Sequence, residues 1–258
     1  MNTQQRMSMN NPLEILVRSA VDSFRPKMLA LTLFSVAAAV IFWILVIWLS
    51  IDPLVNLAIS ALSFVGFDMD VPPADEFFLL GALKSILVPL AVFGFLWPIV
   101  ASSAVLLAGL YVTPPVVKYL AGRDYPDLEQ LGEAGTIAGL WVTLKATLVF
   151  LLGWVVTLPL WLIPGMALVL PILLTAYLLI SVMRFDSLAE HATKKELKLI
   201  KKRDSTSAWV VGVVCAVLSF IPPILLIMPV MSALAFTHHY LNHLRTLRAS
   251  RVIEHDEE

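Results

Sequence analysis

ATLVFLLGWVVTLPLWLIPGMALVLPILLTAYLLISVM, residues Ala146–Met183, runs for 38 residues without a charge and holds three prolines. A straight helix of that length would measure about 57 Å at 1.5 Å per residue. The hydrocarbon core of a bilayer is only about 30 Å thick. Proline removes an amide donor and clashes with the preceding turn, so Pro159 and Pro164, followed by Gly165, break the helix near its middle. The stretch reads as a helical hairpin with its bend at those prolines.

The rest of the chain supports a membrane setting. Of 258 residues, 59% are hydrophobic and 14% charged, and the mean hydropathy is +0.86. A water-soluble core could not hide that much apolar surface. Four charge-free runs, Met28–Ile51, Ser85–Val117, Ala146–Met183 and Ser205–Leu244, are each long enough to span a bilayer. Met1–Asn10 is polar and no small-residue cleavage site follows a short apolar core, so the first run itself is expected to drive insertion. Cys215 is the single cysteine, so no intramolecular disulfide is possible, and it reads as a packing residue.

Positive charge sorts the two faces. Of 18 Lys and Arg, Arg6, Arg18, Arg25 and Lys27 precede the first run; three lie in Lys118–Lys145, seven in Arg184–Asp204, and Arg245, Arg248 and Arg251 near the end. Asp52–Lys84 holds only Lys84, beside Asp52, Asp68, Asp70, Asp75 and Glu76. Basic residues stay on the cytoplasmic side, so only Asp52–Lys84 is expected outside. Runs three and four then begin and end on the inside. Each must turn around, the fourth at Pro222-Pro223. With arms of about 12–18 residues, the hairpins either dip in and return or form short crossing pairs.

This predicts an all-α integral membrane protein with two long transmembrane helices, 28–51 and 85–113, and two proline-bent hairpins, 146–183 and 205–244, inserted from the cytoplasmic side. Residues 11–247 form a single membrane domain. Residues 1–10 and the charged tail 248–258 flank it, with Glu254–Glu258 expected to be disordered. Asn11–Phe24 places Leu13, Leu16, Val17, Ala20, Val21 and Phe24 on one helical face, with Glu14, Arg18 and Asp22 on the other, as in an interfacial amphipathic helix. The acidic loop Asp52–Glu76, with Pro53, Pro72 and Pro73, is expected to hold little regular structure. Arg184–Asp204 reads as a charged cytoplasmic helix started by Asp186-Ser187 as caps, with Glu190 and Lys194 as an i,i+4 pair.

Three stretches resemble a known family: AVDSFRPKMLALTL (Ala20–Leu33), AYLLISVMRFDSLAEH (Ala176–His191) and FIPPILLIMPVMSALAFTH (Phe220–His238). Their order and spacing are similar to those of the CysZ-type sulfate permeases, whose domain is shared with the etoposide-induced protein 2.4 membrane proteins. The likeness covers about Asn11 to Leu247. It implies the same two-crossing, two-hairpin fold and a multi-pass protein of the bacterial inner (plasma) membrane with both termini cytoplasmic. It also implies a homo-oligomer and sulfate uptake for cysteine synthesis. In the family, sulfate is held near the start of the first crossing by a Gly-Leu-Arg motif. The matching positions here are Ser23, Phe24, Arg25 and Lys27; the glycine is missing, and Pro26 has no amide to donate. Arg25 and Lys27 keep two positive charges at a helix N-terminus, where they serve either as an anion site or as anchors on lipid headgroups.

Other constellations are weaker. His239 and His243 share a helix face at a spacing that can bind zinc, but a site needs further ligands, so a polar helix end is the expectation and no metal is assigned. Asp186 and His191 lie either at a gate on the cytoplasmic mouth or in the structural roles of cap and packing residue. No phosphate-binding loop, dinucleotide fingerprint or nucleophile elbow occurs, so an enzyme is not expected and no cofactor is implied. The four runs carry no Asp, Glu, Lys or Arg, which argues against a proton pump with a buried carboxylate relay. The expected partners are the lipid bilayer, sulfate or a related oxyanion, and further copies of the chain, with no nucleic acid. The alternative function is a non-transporting membrane scaffold or bilayer-shaping protein, whose hairpins displace lipid on one side.

Overall fold

In this computed structural model the described residues are 11–64, 98–132, 135–203 and 205–256. Among them every regular element is helical. The chain forms two compact units, residues 1–36 with 102–258, and residues 37–101. The first unit holds everything argued below. Of the second, the described part is helical, 37–64 and 98–101.

The N-terminal helix α1 (Pro12–Ser23) starts on Asn11, whose side-chain oxygen accepts the Leu13 amide at 3.1 Å. Leu13, Val17, Val21 and Phe24 make an exposed apolar stripe, whereas Ile15, Leu16, Ser19, Asp22 and Ser23 are buried. The amphipathic pattern is therefore present with a correction: Leu16 and Asp22 both turn inward, and a polar strip faces the protein. Helix α2 (Pro26–Phe64) continues well past the expected boundary at residue 51. The first half of the acidic segment is thus helical rather than irregular; residues 65–97, including the remainder of that segment and the expected start at 85, lie outside the described residues.

Helix α3 (Pro98–Asp124) runs beyond the expected end at residue 113, despite Pro114 and Pro115. A π-helical turn, Ala108–Val112, explains this. It shifts the hydrogen-bond register so that the two prolines sit at the first positions of the following α-helical stretch, Thr113–Asp124, where their missing amides cost little. The Thr113 amide and its hydroxyl both turn to the Ala108 carbonyl, the hydroxyl at 3.2 Å.

The opening stretch is a helix–turn–helix. Helix α4 (Thr136–Thr157) leads through a 3-10 turn, Leu158–Leu162, into helix α5 (Met166–Leu188). Pro159 lies in the 3-10 turn and Pro164 in the turn before α5. Gly165 takes φ +86°, a left-handed conformation that favours glycine. The arms differ from expectation in length. With 22 and 23 residues they reach about 33 and 35 Å, enough to cross a bilayer. The charge-free run understated them because Lys145, Arg184 and Asp186 are helical too; backbone hydrogen bonding does not stop at the first charge.

Helix α6 (Lys194–Arg203) follows, then α7 (Ser205–Ser219), the short α8 (Pro222–Leu225) and α9 (Met228–Asp256). Pro222 and Pro223 open α8, at the bend of the second hairpin. Of the two arms of this hairpin α7 is the short one, 15 residues, and α9 runs through the expected tail to Asp256, so most of 248–258 is helix. Met231–Asn242 on α9 is buried without a break. A helix buried all round is the centre of its unit, and α1, α5, α7 and the end of α3 all pack on it. Small residues let helices approach closely: a Cβ on Gly212 of α7 would stand 2.7 Å from Ile180 of α5, and one on Gly153 of α4 would stand 2.8 Å from Leu174. Four helical segments, Pro26–Leu45, Pro98–Asp124, Ile137–Trp161 and Met166–Leu188, are long and apolar enough to cross a membrane.

Candidate functional site

The buried polar strip of α1 meets the end of α3 and the middle of α9. Asp22, its side chain 3% exposed, is the hub. Its Oδ1 accepts from Arg25 Nε at 2.7 Å, and its Oδ2 accepts from Arg123 NH2 at 2.6 Å. The His238 Nε2 stands 3.7 Å from the same Oδ2. Arg123 also clasps Asp124, with Nε to Oδ1 at 3.0 Å and NH2 to Oδ2 at 2.7 Å, and Arg18 NH2 reaches Asp124 at 3.2 Å. Burial works against an ionised Asp22, but the His238 ring, the Arg123 guanidinium and the Arg25 charge outweigh it and hold the carboxyl well below its usual range.

Because Asp22 occupies Nε of Arg25 and NH2 of Arg123, both guanidiniums turn their NH1 groups the same way. They converge on one oxygen, the Tyr119 hydroxyl, at 3.1 Å from Arg25 and 3.2 Å from Arg123. Lys27 Nζ lies 5.9 Å from the Tyr119 ring centroid and Arg123 Cζ 5.2 Å, within cation–π range. Arg25 and Lys27 are therefore together, as their spacing suggested. Ser23 is buried and donates its hydroxyl to the Ser19 carbonyl at 2.7 Å. Phe24 is 63% exposed and ends α1, its amide turned back to Val21 and Asp22.

Asp186 and His191 are placed differently from the expected cap and neighbour. Asp186 and Ser187 lie within α5, so the cap assignment is corrected. The charged helix α6 is started instead by a capping box: Thr193 Oγ1 accepts the Glu196 amide at 3.3 Å, and Glu196 Oε2 accepts the Thr193 amide at 2.8 Å. The Asp186 carboxylate packs against Gly109 of the π-helical turn, where an added Cβ would stand 2.6 Å from Oδ2. The Ser187 and Thr237 hydroxyls are 3.3 Å apart. His191 is buried in the turn after α5, and among the described residues no hydrogen bond or ion pair joins it to Asp186. Burial keeps its imidazole below the usual pKa, the Arg248 charge adds to that, and Glu190 opposes it.

His191 belongs to a second cluster. Its carbonyl accepts from Arg248 NH2 at 2.7 Å and from the Leu131 amide at 3.3 Å. Arg248 also donates Nε to Glu196 Oε1 at 3.0 Å and NH1 to the Glu129 carbonyl at 3.0 Å. Burial opposes the charge on Glu196, but Arg248 and the Thr193 amide outweigh it and lower its pKa. The His239 and His243 rings are 4.7 Å apart, and no group of three potential metal ligands occurs among the described residues.

Residues 15–229 match the family described as Sulfate transporter CysZ/Etoposide-induced protein 2.4. The chain belongs to this family. Comparison with curated proteins and with solved structures gives no match. Family membership brings a membrane protein of transporter type. The sequence alone singled out Arg25 and Lys27; the structure adds Asp22, Arg123, Asp124, Tyr119 and His238 around them. The available signals were Asp22 three residues before Arg25 at the end of α1, and the Arg123-Asp124 pair at the end of α3.

Proposed function

We propose that this chain is a permease or channel for a small tetrahedral oxyanion, sulfate first, and that Arg25, Lys27 and Arg123 receive it at the cytoplasmic end. One observation carries the reading: two guanidiniums, pinned from behind by Asp22, aim their NH1 groups at a single oxygen, the Tyr119 hydroxyl. Charge-assisted hydrogen bonds from arginine are the strong ones for oxyanions. The rigid backing by a buried carboxylate fixes their direction before the ligand arrives. Arg25, Lys27 and Arg123 gather around the Tyr119 side chain, and Lys27 pairs with no carboxylate among the described residues, so positive charge is left for an anion.

The reading extends to the arrangement in the membrane. The α4–α5 and α7–α9 hairpins enter from the cytoplasmic side of a bacterial inner membrane, both termini are cytoplasmic, and copies of the chain associate. Family membership and the distribution of Lys and Arg support it. A second reading, a bilayer-shaping scaffold, draws on α7 alone: its 15 residues reach about 22 Å, short of the hydrocarbon core.

Labelled sulfate uptake into liposomes holding the purified protein tests the first reading, with protein-free liposomes as control and thiosulfate and chloride as competitors. Saturable uptake that is lost in the Arg25→Ala/Lys27→Ala variant is expected. Absence of uptake by a folded protein would remove the sulfate reading and leave the scaffold. Normal uptake by the double variant would move the site elsewhere.

A further inference from the structure

The Tyr119 hydroxyl occupies the place where the two guanidiniums converge. It is a neutral oxygen serving two cations, with Arg25 NH1 at 3.1 Å and Arg123 NH1 at 3.2 Å. A phenol is a poor match for that environment. An oxyanion oxygen accepting from the same two donors would gain two charge-assisted bonds, each stronger than a bond to a neutral acceptor. The surroundings favour such an exchange. Lys27 sits over the Tyr119 ring and, among the described residues, pairs with no carboxylate.

Resting on the oxyanion reading above, we propose that Tyr119 is a plug: its hydroxyl stands in for one oxygen of the anion, satisfies Arg25 and Arg123 while the site is empty, and is displaced when the anion binds. The tyrosine then sets affinity from within the site. It keeps the NH1 groups of both guanidiniums paired in the resting protein. It also makes binding a competition rather than a simple addition, so the anion can leave again. Asp22 is the positioning residue in this arrangement, because it holds both guanidiniums by their other nitrogens.

The test is calorimetric titration of inorganic sulfate into the full chain in phosphatidylcholine nanodiscs, comparing the wild type with Tyr119→Phe. The variant keeps the ring and loses only the competing oxygen. It is expected to bind about tenfold more tightly, the scale of one hydrogen bond converted at 1.4 kcal/mol per decade. Adding Arg25→Gln to Tyr119→Phe is expected to abolish the gain, which a purely structural tyrosine would not predict. Tyr119→Leu, also expected to gain affinity, serves if the phenylalanine variant does not fold. Wild-type binding with equal or weaker binding by Tyr119→Phe and Tyr119→Leu overturns the plug and leaves the oxyanion reading standing. Absence of sulfate binding by every chain overturns both. Repeating the titration with phosphatidylglycerol in the disc separates the two sources of the ligand. A gain that persists marks free sulfate as the occupant; a gain that the lipid competes away supports the plug with a lipid phosphate as the occupant.

Discussion

Two arginine clusters sit in the same unit and end on different kinds of acceptor. Around Arg248, one guanidinium meets one carboxylate and two carbonyls: Nε and NH2 go to Glu196, NH2 also to His191 and NH1 to Glu129. Each of its nitrogens ends on a fixed oxygen of the fold. Around Asp22, three arginines share two carboxylates, Lys27 stands by the Tyr119 ring, and two NH1 groups end on a side-chain hydroxyl. A closed set of donors and acceptors is a staple. Two guanidiniums that end on a neutral side-chain oxygen are the arrangement the proposed anion site needs. Charge and burial alone do not separate the two; the identity of the final acceptor does.

Removing the hub should give the largest effect. Asp22→Ala removes the carboxylate shared by two partly exposed guanidiniums, and loss of about 3 kcal/mol is expected, the low end for breaking a buried pair because the arginines stay partly hydrated. A denaturation series in detergent reads it. The stabilisation from Asp22 has a definite pH window. Its folded pKa is depressed, so the contribution is complete above the ordinary carboxylate range and is lost only as pH falls through the depressed value.

Next comes the staple. Arg248→Ala should destabilise by about 2–3 kcal/mol, the scale of charged hydrogen bonds left unmade. Sulfate affinity per folded molecule should stay unchanged, as measured by titration in nanodiscs. A large affinity loss in that variant would erase the distinction between the clusters.

Lys27→Ala should do the reverse. Its side chain is exposed and holds no ion pair among the described residues, so melting should hardly move, while sulfate affinity falls by about threefold, less so at high salt. An unchanged affinity at low salt would remove Lys27 from the proposed anion site.

The smallest effect is on the pH dependence of stability. His191 is buried with a lowered pKa, so the unfolded chain takes up a proton first, and stability should decline as pH falls below about 6.5. Asp22 does not titrate in that window. His191→Gln should therefore flatten the slope of melting temperature between pH 7 and 5 and leave the Asp22 cluster intact. A slope that survives the substitution would assign it to another group.

Much of the architecture was legible in the sequence because bilayer thickness and proline geometry act locally. Pro159 and Pro164 mark the first bend and Pro222-Pro223 the second, each at the position read from the sequence. Helix ends were less legible. Lys145 and Asp186 sit inside helices that charge-free runs exclude, and Thr193 with Glu196, not Asp186, begins the charged helix. A side chain's charge says little about whether its own backbone amide continues the helix.

The sequence by itself determined the membrane class, the turning points and the family, because hydropathy, proline and motif spacing are properties of neighbouring residues. Arg25 and Lys27 were visible for the same reason, as two cations beside a helix start. Only the tertiary structure decided that Asp22 faces inward and that Arg123, Tyr119 and His238 join it. Arg123 reaches Asp22 across 101 residues of chain. A buried carboxylate is stable only where opposite charge is brought to it, and that neutralising charge comes from helices packed together in space, which no local pattern in α1 records.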